Sequence, residues 1–263
     1  MTLNRVAFIS DLHLDHNIGL LPQLEKVLKK RKPEVFIIAG DLFSGFTRTS
    51  AVLKRLKQIV PRVLFLPGNH DLWIAETTGN LSSHELYQKT LNKITRISGS
   101  EYLGLKPVYL KNKTAVVGVT GWYDNYPLPP VSSPDQHLCK WPGFETPYQV
   151  RNWQNELLHQ QLEEAQKIAS KIIVVTHMIP FMNLMKEYIP EQLFPYMGSQ
   201  ILGDTILKYP KVVYAISGHL HGRFLFSVPP GALPWEISPF GYPGELGKNP
   251  RETLEQSLRL IEV

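Results

Sequence analysis

The sequence predicts an α/β fold in which two β-sheets pack face to face and helices cover their outer sides. Short apolar runs alternate with segments of helical periodicity over the first third of the chain, whereas the last third is richer in β runs with hairpin-like spacing. Of the 263 residues, 43% are hydrophobic, which is enough for a sizeable core. Since no linker-like break divides the chain, we expect a single domain over residues 1–263.

The first elements follow one another in a regular order. Buried-strand runs lie at residues 6–9, 35–39 and 63–66. A helix over residues 20–30 separates the first two runs and places Leu24 and Leu28 on one side, and a second helix carries Leu53 and Leu56 and stops at Pro61. Strands joined by helices predict right-handed crossovers and a parallel core sheet.

The remaining elements are a long helix over residues 148–170 and strands at 108–110, 115–120, 172–176, 212–217, 224–228 and 258–261. Two segments, 121–146 and 178–209, form cap-like insertions into the domain. The first is dense in Pro, Trp and Tyr and has no clear period. A long irregular segment of this kind is often functional, and the alternative is a surface insertion packed by its own aromatic residues.

Composition narrows the class of protein. The single cysteine, Cys139, cannot form an internal disulfide, and the apolar run after Met1 is too short for a signal-peptide core or a membrane span. We therefore expect a soluble, cytoplasmic protein. The formal net charge of +5 is either a solubility margin or an attraction for an anionic substrate. The basic run at 29–33 ends a predicted helix, where the helix dipole favours cations.

Polar side chains follow five of the predicted strands, at the point where each strand ends. In α/β sheets the carboxyl ends of the strands border the ligand-binding crevice, so we expect these side chains to converge. They are Asp11 and His13, Asp41, Asn69 with His70 and Asp71, His177, and His219 with His221.

The residue types in this set suit a metal centre. In extended backbone, residues two apart face the same way, so Asp11 and His13 can share one cavity, as can His219 and His221. Carboxylate and imidazole ligands together suit Mn, Fe or Zn, and the lack of a thiolate counts against a structural zinc site. Gly40, which precedes Asp41, allows a close backbone approach, and Gly68 and Gly218 do the same before Asn69 and His219.

The number of candidate ligands indicates two metals. Seven side chains exceed the needs of one tetrahedral ion and fit two ions that share a bridging carboxylate. Such pairs, about 3.5–4 Å apart, acidify a bridging water to hydroxide and hydrolyse phosphate esters. The seven are Asp11, His13, Asp41, Asn69, His177, His219 and His221.

The ordered set "DLH … GD … GNHD … H … GHLH", spread over residues 11–221, resembles the calcineurin-like metallophosphoesterase superfamily. The resemblance implies a four-layer α/β/β/α sandwich of two mixed sheets flanked by helices. It also implies two metal sites that share Asp41. One site would be formed by Asp11, His13, Asp41 and His221, and the other by Asp41, Asn69, His177 and His219.

The same resemblance implies a catalytic role for His70, which would stand over the leaving group and bind a phosphoryl oxygen or protonate the leaving oxygen. Asp71 would help to position His70, and its alternative role is to cap the turn that follows. As a neutral oxygen ligand, Asn69 would leave net positive charge at the site for an anionic substrate.

The substrate is left open by these motifs, because members of the superfamily act on phosphoproteins, cyclic nucleotides, nucleotide sugars, lipid precursors and DNA ends. Trp122, Tyr123 and Tyr126 are candidates for a wall that stacks a flat group, or they fill the core. Arg223 is a candidate phosphate contact.

We therefore expect a phosphodiesterase or phosphatase in which a metal-bridging hydroxide attacks the phosphate ester of a small molecule. Nucleic acid is the second substrate option. The alternatives are a DNA-repair-type nuclease, which predicts basic tracks along a groove, and a catalytically silent scaffold of the same fold, which predicts an eroded ligand set. The sequence does not set the oligomeric state.

Overall fold

The computed structural model describes residues 3–74, 81–124, 133–245 and 247–263. Within these ranges the strands are β1 (Arg5–Ile9), β2 (Val35–Ala39), β3 (Arg62–Leu66), β4 (Glu101–Tyr102), β5 (Val108–Tyr109), β6 (Thr114–Val119), β7 (Lys171–Thr176), β8 (Val212–Ser217), β9 (Phe224–Val228), β10 (Leu233–Ile237) and β11 (Arg259–Glu262).

The α-helices in the same ranges are α1 (Leu20–Arg31), α2 (Thr49–Lys57), α3 (Ser83–Glu85), α4 (Leu91–Ile97), α5 (Asp135–Leu138), α6 (Pro147–Ile168), α7 (Phe194–Met197), α8 (Gln200–Ile206) and α9 (Pro250–Ser257). A π-helical turn, Leu86–Thr90, joins α3 to α4, and two 3₁₀ turns lie at His70–Leu72 and Met182–Met185. None of the helices in the described residues is long and apolar enough to cross a membrane.

The strands form two mixed sheets. The first has the order β11-β1-β2-β3-β4, in which β11 is antiparallel to β1 and the other pairs are parallel. The second has the order β5-β6-β7-β8-β10-β9, in which the two edge strands β5 and β9 are antiparallel to their neighbours. The inner strands of both sheets are parallel, so their carboxyl ends lie at one edge of each sheet.

Alternation along the strands explains how the sheets pack. Val6 and Phe8 of β1 face the second sheet, where they join Val116 and Ile173 in one buried cluster. The intervening Ala7 belongs to a second cluster on the outer side of the first sheet. Because successive strand residues point to opposite faces, one apolar run supplies both layers of core.

Helices cover both outer faces. Leu24 of α1 and Leu53 of α2 pack against the outer side of the first sheet, whereas Leu158 and Leu162 of α6 pack against the outer side of the second. Helix α6 begins at a capping box, in which the Thr146 side chain accepts the Gln149 backbone N–H and the Gln149 side chain accepts the Thr146 N–H. The four layers are thus helix, sheet, sheet and helix, which confirms the predicted fold class.

The predicted elements lie within about three residues of observed ones, and several further elements were not predicted. These are the helical segment from Ser83 to Ile97, the strands β4 (Glu101–Tyr102) and β10 (Leu233–Ile237), and the helices α5, α7, α8 and α9. The segment after β10 matters for the site, because the Ser10 N–H donates to Ser238 O at 3.1 Å and the Phe240 N–H donates to Ser10 O at 2.9 Å. These bonds tie residues 238–241 to the end of β1.

Candidate metal centre

The structure brings all seven candidate ligands together where the inner strands end. Three groups have ligand atoms that all lie within 4.8 Å of one another, and in each of them the described residues could hold a cation. The groups are Asp11 with His13 and His221, His13 with Asp41 and His70, and Asp41 with His177 and His219.

Asp41 lies between the two halves of this cluster. Its Oδ2 atom is 3.8 Å from His13 Nε2 on one side and 3.4 Å from His177 Nε2 on the other. Its Oδ1 atom accepts the backbone N–H of His70 at 2.9 Å, which fixes the plane of the carboxylate. Asp41 is therefore the one carboxylate within reach of both halves among the described residues.

The two outer groups complete the halves. His221 Nε2 is 3.2 Å from His13 Nε2 and 3.5 Å from Asp11 Oδ1. On the other side, Asn69 Oδ1 is 3.0 Å from His177 Nε2. The first half thus offers imidazole and carboxylate donors, and the second adds a neutral amide oxygen.

Three of the histidines are oriented by a contact to the ring nitrogen that faces away from the cluster. His177 Nδ1 donates to the Ala39 carbonyl at 2.9 Å, and His219 Nε2 donates to the Tyr196 carbonyl at 3.1 Å. His221 Nδ1 is 2.6 Å from the Glu245 carboxylate. When the ring is neutral, each contact leaves the opposite nitrogen with a free lone pair, which is how proteins orient histidines for metals.

The backbone at four of the candidate ligands is not extended, so the prediction that extended backbone pairs them is wrong. Asp11, His13, Asp41 and His219 all have positive φ values, of 52°, 39°, 55° and 68°. Non-glycine residues rarely adopt this left-handed region, and such strain concentrates at functional sites. Left-handed turns, rather than the alternation of an extended chain, thus bring Asp11 and His13 to one cavity.

Gly40 and Gly68 are required by close packing behind the ligands. Gly40 has φ of +93°, and a Cβ at this position would overlap the His177 ring. A Cβ on Gly68 would overlap the Asp41 carboxylate. Any side chain at either position would displace a candidate ligand, so the predicted close backbone approach is present at both.

Charge in the metal-free cluster is balanced by two histidines. Burial lowers the pKa of His177, but the charge of Asp41 outweighs it and raises the pKa to about 10. Burial likewise opposes protonation of His221, yet Asp11 and Glu245 raise its pKa to about 9. At neutral pH, two imidazolium ions therefore offset the two buried carboxylates.

The other two candidate histidine ligands, His13 and His219, are neutral. Burial dominates at His13 and at His219 and lowers the pKa of each to about 4. The cluster could therefore hold divalent cations, since loss of two protons would leave two carboxylates and four neutral imidazoles as donors. This donor set of nitrogen and oxygen atoms without sulfur fits Mn, Fe or Zn.

His70 lies at the edge of the cluster and faces solvent. Its Nε2 atom is 3.8 Å from Asp41 Oδ2, and 14% of the side chain is exposed. The ring of Trp73 stacks on the His70 ring with centroids 3.7 Å apart. Sequence reasoning assigned no role to Trp73, although it stands three residues after His70 in the same motif.

Asp71 is buried and has different contacts from those predicted for it. Its carboxylate accepts the backbone N–H groups of Gly68, Asp41, Leu42 and Phe43 at 2.8–3.3 Å. The hydrogen bonds that the structure describes for this side chain thus go to the backbone of the ligand loops and not to the His70 ring. Positioning of His70 by Asp71 stays a prediction.

Trp122 and Tyr123 are placed in the core. They are only 2% and 1% exposed, and their rings stack on each other at 5.0 Å. A flat substrate group cannot stack on side chains covered in this way, so the structure favours core packing over a substrate wall. Tyr126 lies outside the described residues. Arg223 is half-buried, two residues beyond His221, and its contact with a phosphate stays a prediction.

Glu245 and Tyr242 are functional candidates that sequence reasoning missed. The Glu245 carboxylate holds His221 and also accepts the Tyr242 N–H at 2.7 Å. The Tyr242 ring stacks on His13 at 4.4 Å and meets the edge of His221 at 5.0 Å. Their segment, "GYPGE", carries no metal-ligand spacing, and only its attachment to the end of β1 brings it to the site.

Asp135 is a third missed residue, and it comes from the segment 121–146, which was predicted to be an insertion. It is 4% exposed, and its Oδ1 atom accepts from Asn69 Nδ2 at 2.9 Å and from Trp73 Nε1 at 2.7 Å. The first bond turns the Asn69 amide so that its oxygen faces His177. One carboxylate of this segment thus contacts both a candidate ligand and the ring beneath His70.

Comparisons with known proteins agree with this geometry. The model of the calcineurin-like phosphoesterase family matches residues 4–223. A search of curated proteins finds no match.

Solved structures share the fold. The phosphopantetheinyl hydrolase PptH from Mycobacterium tuberculosis superposes with a TM-score of 0.75 at 19% identity, over 99% of this chain and 96% of that one. A dimetal phosphatase from Danio rerio superposes with a TM-score of 0.54 at 15% identity, over 90% and 87%.

The family match spans most of the chain, and the matched region contains every one of the converging side chains. The chain belongs to the calcineurin-like phosphoesterase family.

Proposed function

We propose that the protein is a phosphoesterase that uses two transition-metal ions, and one observation carries the proposal. Asp41 is shared by two groups of metal-binding side chains, one through His13 and one through His177, with both distances under 4 Å. A carboxylate in this position can bridge two ions and so hold them at the short separation of hydrolytic two-metal sites.

The assignment of ligands follows the two halves of the cluster. In the first site the donors are Asp11, His13, Asp41 and His221, and in the second they are Asp41, Asn69, His177 and His219. When bound, the two ions supply Lewis acidity toward the phosphate and an acidified water as the nucleophile. The protein keeps the donors in place through the strand ends and the contacts behind the histidines.

His70 serves the substrate side of the reaction. It reaches the cluster at Asp41 and remains partly open to the cleft, where it can donate a proton to the leaving oxygen or hold a phosphoryl oxygen. Stacking on Trp73 limits rotation of the ring, so the Nε2 atom keeps its direction. A general acid in this position contributes about 10²–10⁴-fold to the rate.

The two alternative functions, a catalytically silent scaffold and a nuclease, predict different properties of the protein. A silent scaffold would lack one or more donors, whereas none of the seven predicted donors is replaced in this sequence. A nuclease would bind DNA with strongly salt-dependent affinity. The preference between diester and monoester is part of the test.

The test is a substrate screen of the purified protein loaded with Mn, Fe, Zn or Mg. Bis-p-nitrophenyl phosphate and p-nitrophenyl phosphate report diesterase and phosphatase activity, and the panel continues with cyclic nucleotides, dinucleotides and duplex DNA. A carrier protein bearing phosphopantetheine is included because PptH, which shares the fold, is named as a phosphopantetheinyl hydrolase.

The matched variants are Asp41→Asn and Asp204→Asn. Asp41→Asn should abolish hydrolysis and the binding of both ions, because it removes the shared charge. Asp204 is an exposed carboxylate of α8 that accepts from Gln200 at 3.0 Å, so its variant should behave as the wild type. Failure of every metal-loaded form to cleave any ester in the panel would refute the proposal.

A further inference from the structure

A cleft opens directly beside the candidate metal centre. It has a volume of about 320 Å³, and its inner end is formed by Asn69, His70 and His219. We refer to the rest of it as the apolar cleft, because six of its nine other lining residues are apolar or aromatic. The six are Trp73, Pro134, Leu193, Tyr196, Met197 and Tyr242, and the three polar ones are Ser133, Asp135 and Gln192.

The walls of the apolar cleft are preformed. Trp73 is held by its stack on His70 and by its hydrogen bond to Asp135, and Tyr242 is held by its stack on His13. Tyr196 is 7% exposed and packs edge-on against the buried Tyr123 ring at 5.5 Å. Rings fixed in this way bind an apolar group without losing much side-chain freedom.

The charges among the described lining residues do not suit a second phosphate group, which would need a cation beside it. Among the described residues that line it, none is Lys or Arg, although the chain contains 28 of these residues. The carboxylate in the lining, Asp135, is already hydrogen-bonded to Asn69 and Trp73. An additional anion here would lose its hydration and gain no cation.

We propose that the apolar cleft binds an uncharged, mainly apolar organic group attached to the phosphate that reacts at the metal centre. This inference rests on the proposed function and narrows its substrate class. The substrates are phosphate esters of uncharged apolar alcohols, and nucleic acids and nucleotides that carry further phosphates are excluded. The position of His70 at the inner end places the organic group next to the group that would meet the leaving oxygen.

Phosphonates test this inference without hydrolysis, because each carries one organic group on a phosphate-like head. The binding of methylphosphonate, benzylphosphonate and 4-carboxybenzylphosphonate to the Mn-loaded protein is measured by calorimetry. Benzylphosphonate should bind at least about tenfold more tightly than methylphosphonate, because its ring leaves water for the cleft. The carboxylated form should lose about tenfold or more relative to benzylphosphonate.

Leu193 offers a variant outside the metal centre. It lies at the mouth of the cleft with 45% exposure, immediately before α7, where a polar residue is well tolerated. Leu193→Asn should weaken benzylphosphonate several-fold and leave methylphosphonate unchanged, and Leu193→Lys should recover binding of the carboxylated form. Leu225→Asn is the control, because Leu225 is 61% exposed on β9, which contributes no residue to the cleft.

Equal affinity for methylphosphonate and benzylphosphonate would overturn the inference and leave the proposed function standing. Tight binding of the carboxylated form by the wild type would overturn it too, as would unchanged benzylphosphonate binding by Leu193→Asn. If no phosphonate binds and no ester is cleaved, the proposed function fails, and the inference fails with it.

Discussion

Asp135→Asn is the most informative single substitution in this protein. Asp135 belongs to the segment 121–146, which carries no part of the family motif, yet its Oδ1 atom contacts Asn69 at 2.9 Å and Trp73 at 2.7 Å. The substitution keeps the shape and an oxygen acceptor but removes the negative charge. It therefore tests whether this carboxylate positions Asn69 as a ligand.

The expected magnitude follows from these two contacts. Hydrogen bonds to charged groups contribute about 1.5–3 kcal/mol each, against about 1 kcal/mol for neutral pairs. We therefore expect the hydrogen bonding that orients Asn69 to weaken by about 1–2 kcal/mol. This loss corresponds to roughly 5–30-fold weaker metal binding in the half of the cluster that contains Asn69. This agrees with the roughly 10–100-fold losses seen when residues behind metal ligands are changed.

Stability should change much less. Burial raises the pKa of Asp135 despite its two hydrogen bonds, so the ionised side chain carries a desolvation penalty in the folded protein. Removing the charge relieves that penalty, and we expect the free energy of unfolding to shift by no more than about 1 kcal/mol. Asp135→Ala, in contrast, leaves two donors without an acceptor and should destabilise by about 1–3 kcal/mol for each fully buried donor.

The assay combines a calorimetric titration of the metal-free protein with Mn, elemental analysis and thermal unfolding. Asp124→Asn is the matched control, because Asp124 lies in the same segment, 121–146, and pairs with Arg151 at 2.6 Å. If Asp135→Asn binds Mn in both halves of the cluster as tightly as the wild type does, Asp135 does not position Asn69 as a ligand. A large loss of stability would show instead that Asp135 acts through folding.

Four further predictions concern the candidate metal centre itself. His70→Gln should lower kcat by about 10²–10⁴-fold while elemental analysis still finds both ions, and loss of the ions would contradict its assignment as the group that meets the substrate. Glu245→Gln should weaken the binding of one ion by about 10–100-fold, because the carboxylate orients His221 at 2.6 Å, and an unchanged titration would argue against this support. Metal binding should release protons and should strengthen as the pH rises from 6 to 8, since the pKa values of His177 and His221 are about 10 and 9 without metal. Calorimetry in buffers of different ionisation enthalpy counts the released protons. Folding raises both histidine pKa values above the ordinary value of 6.5, so protonated His177 and His221 stabilise the protein when no metal is bound. This contribution to the free energy of unfolding is complete below pH 6.5 and is lost as the pH rises to 9–10, and thermal unfolding measures it.

Much of the candidate site could be predicted because it lies at strand ends. The runs that end before Asp11, Asp41 and Asn69 are continuous and apolar, which is typical of strands buried on both faces. Parallel strands joined by helices then bring their carboxyl ends to one edge. The convergence of the ligands therefore follows from local patterns and one topological rule.

The local geometry of the ligands could not be predicted in the same way. Asp11 and His13 appeared to be paired by extended alternation, whereas both adopt left-handed backbone at φ of 52° and 39°. Nothing in the sequence marks this, because the conformation is imposed by hydrogen bonds from elsewhere. The Asp11 N–H donates to Gly40 O and the His13 N–H donates to Asp41 O, both at 3.0 Å.

The residues behind the ligands were missed for a related reason. Asp135 is 66 residues from Asn69, and Glu245 is 24 residues from His221. A carboxylate that supports a ligand needs only to be near it in space, so no spacing rule identifies it. Trp122 and Tyr123 illustrate the opposite case, since aromatic residues beside a site look alike in sequence whether they face the substrate or the core.

The sequence by itself determined the four-layer fold and the set of side chains at the strand ends, because apolar periodicity and the order of the motifs are properties of the linear sequence. Only the tertiary structure decided which loops complete the site. The placement of Asp135, Tyr242 and Glu245 depends on long-range contacts, and so does the apolar character of the cleft beside His70. Local sequence patterns identify the candidate ligands, whereas the cleft beside them is formed by segments that are distant from one another in the sequence.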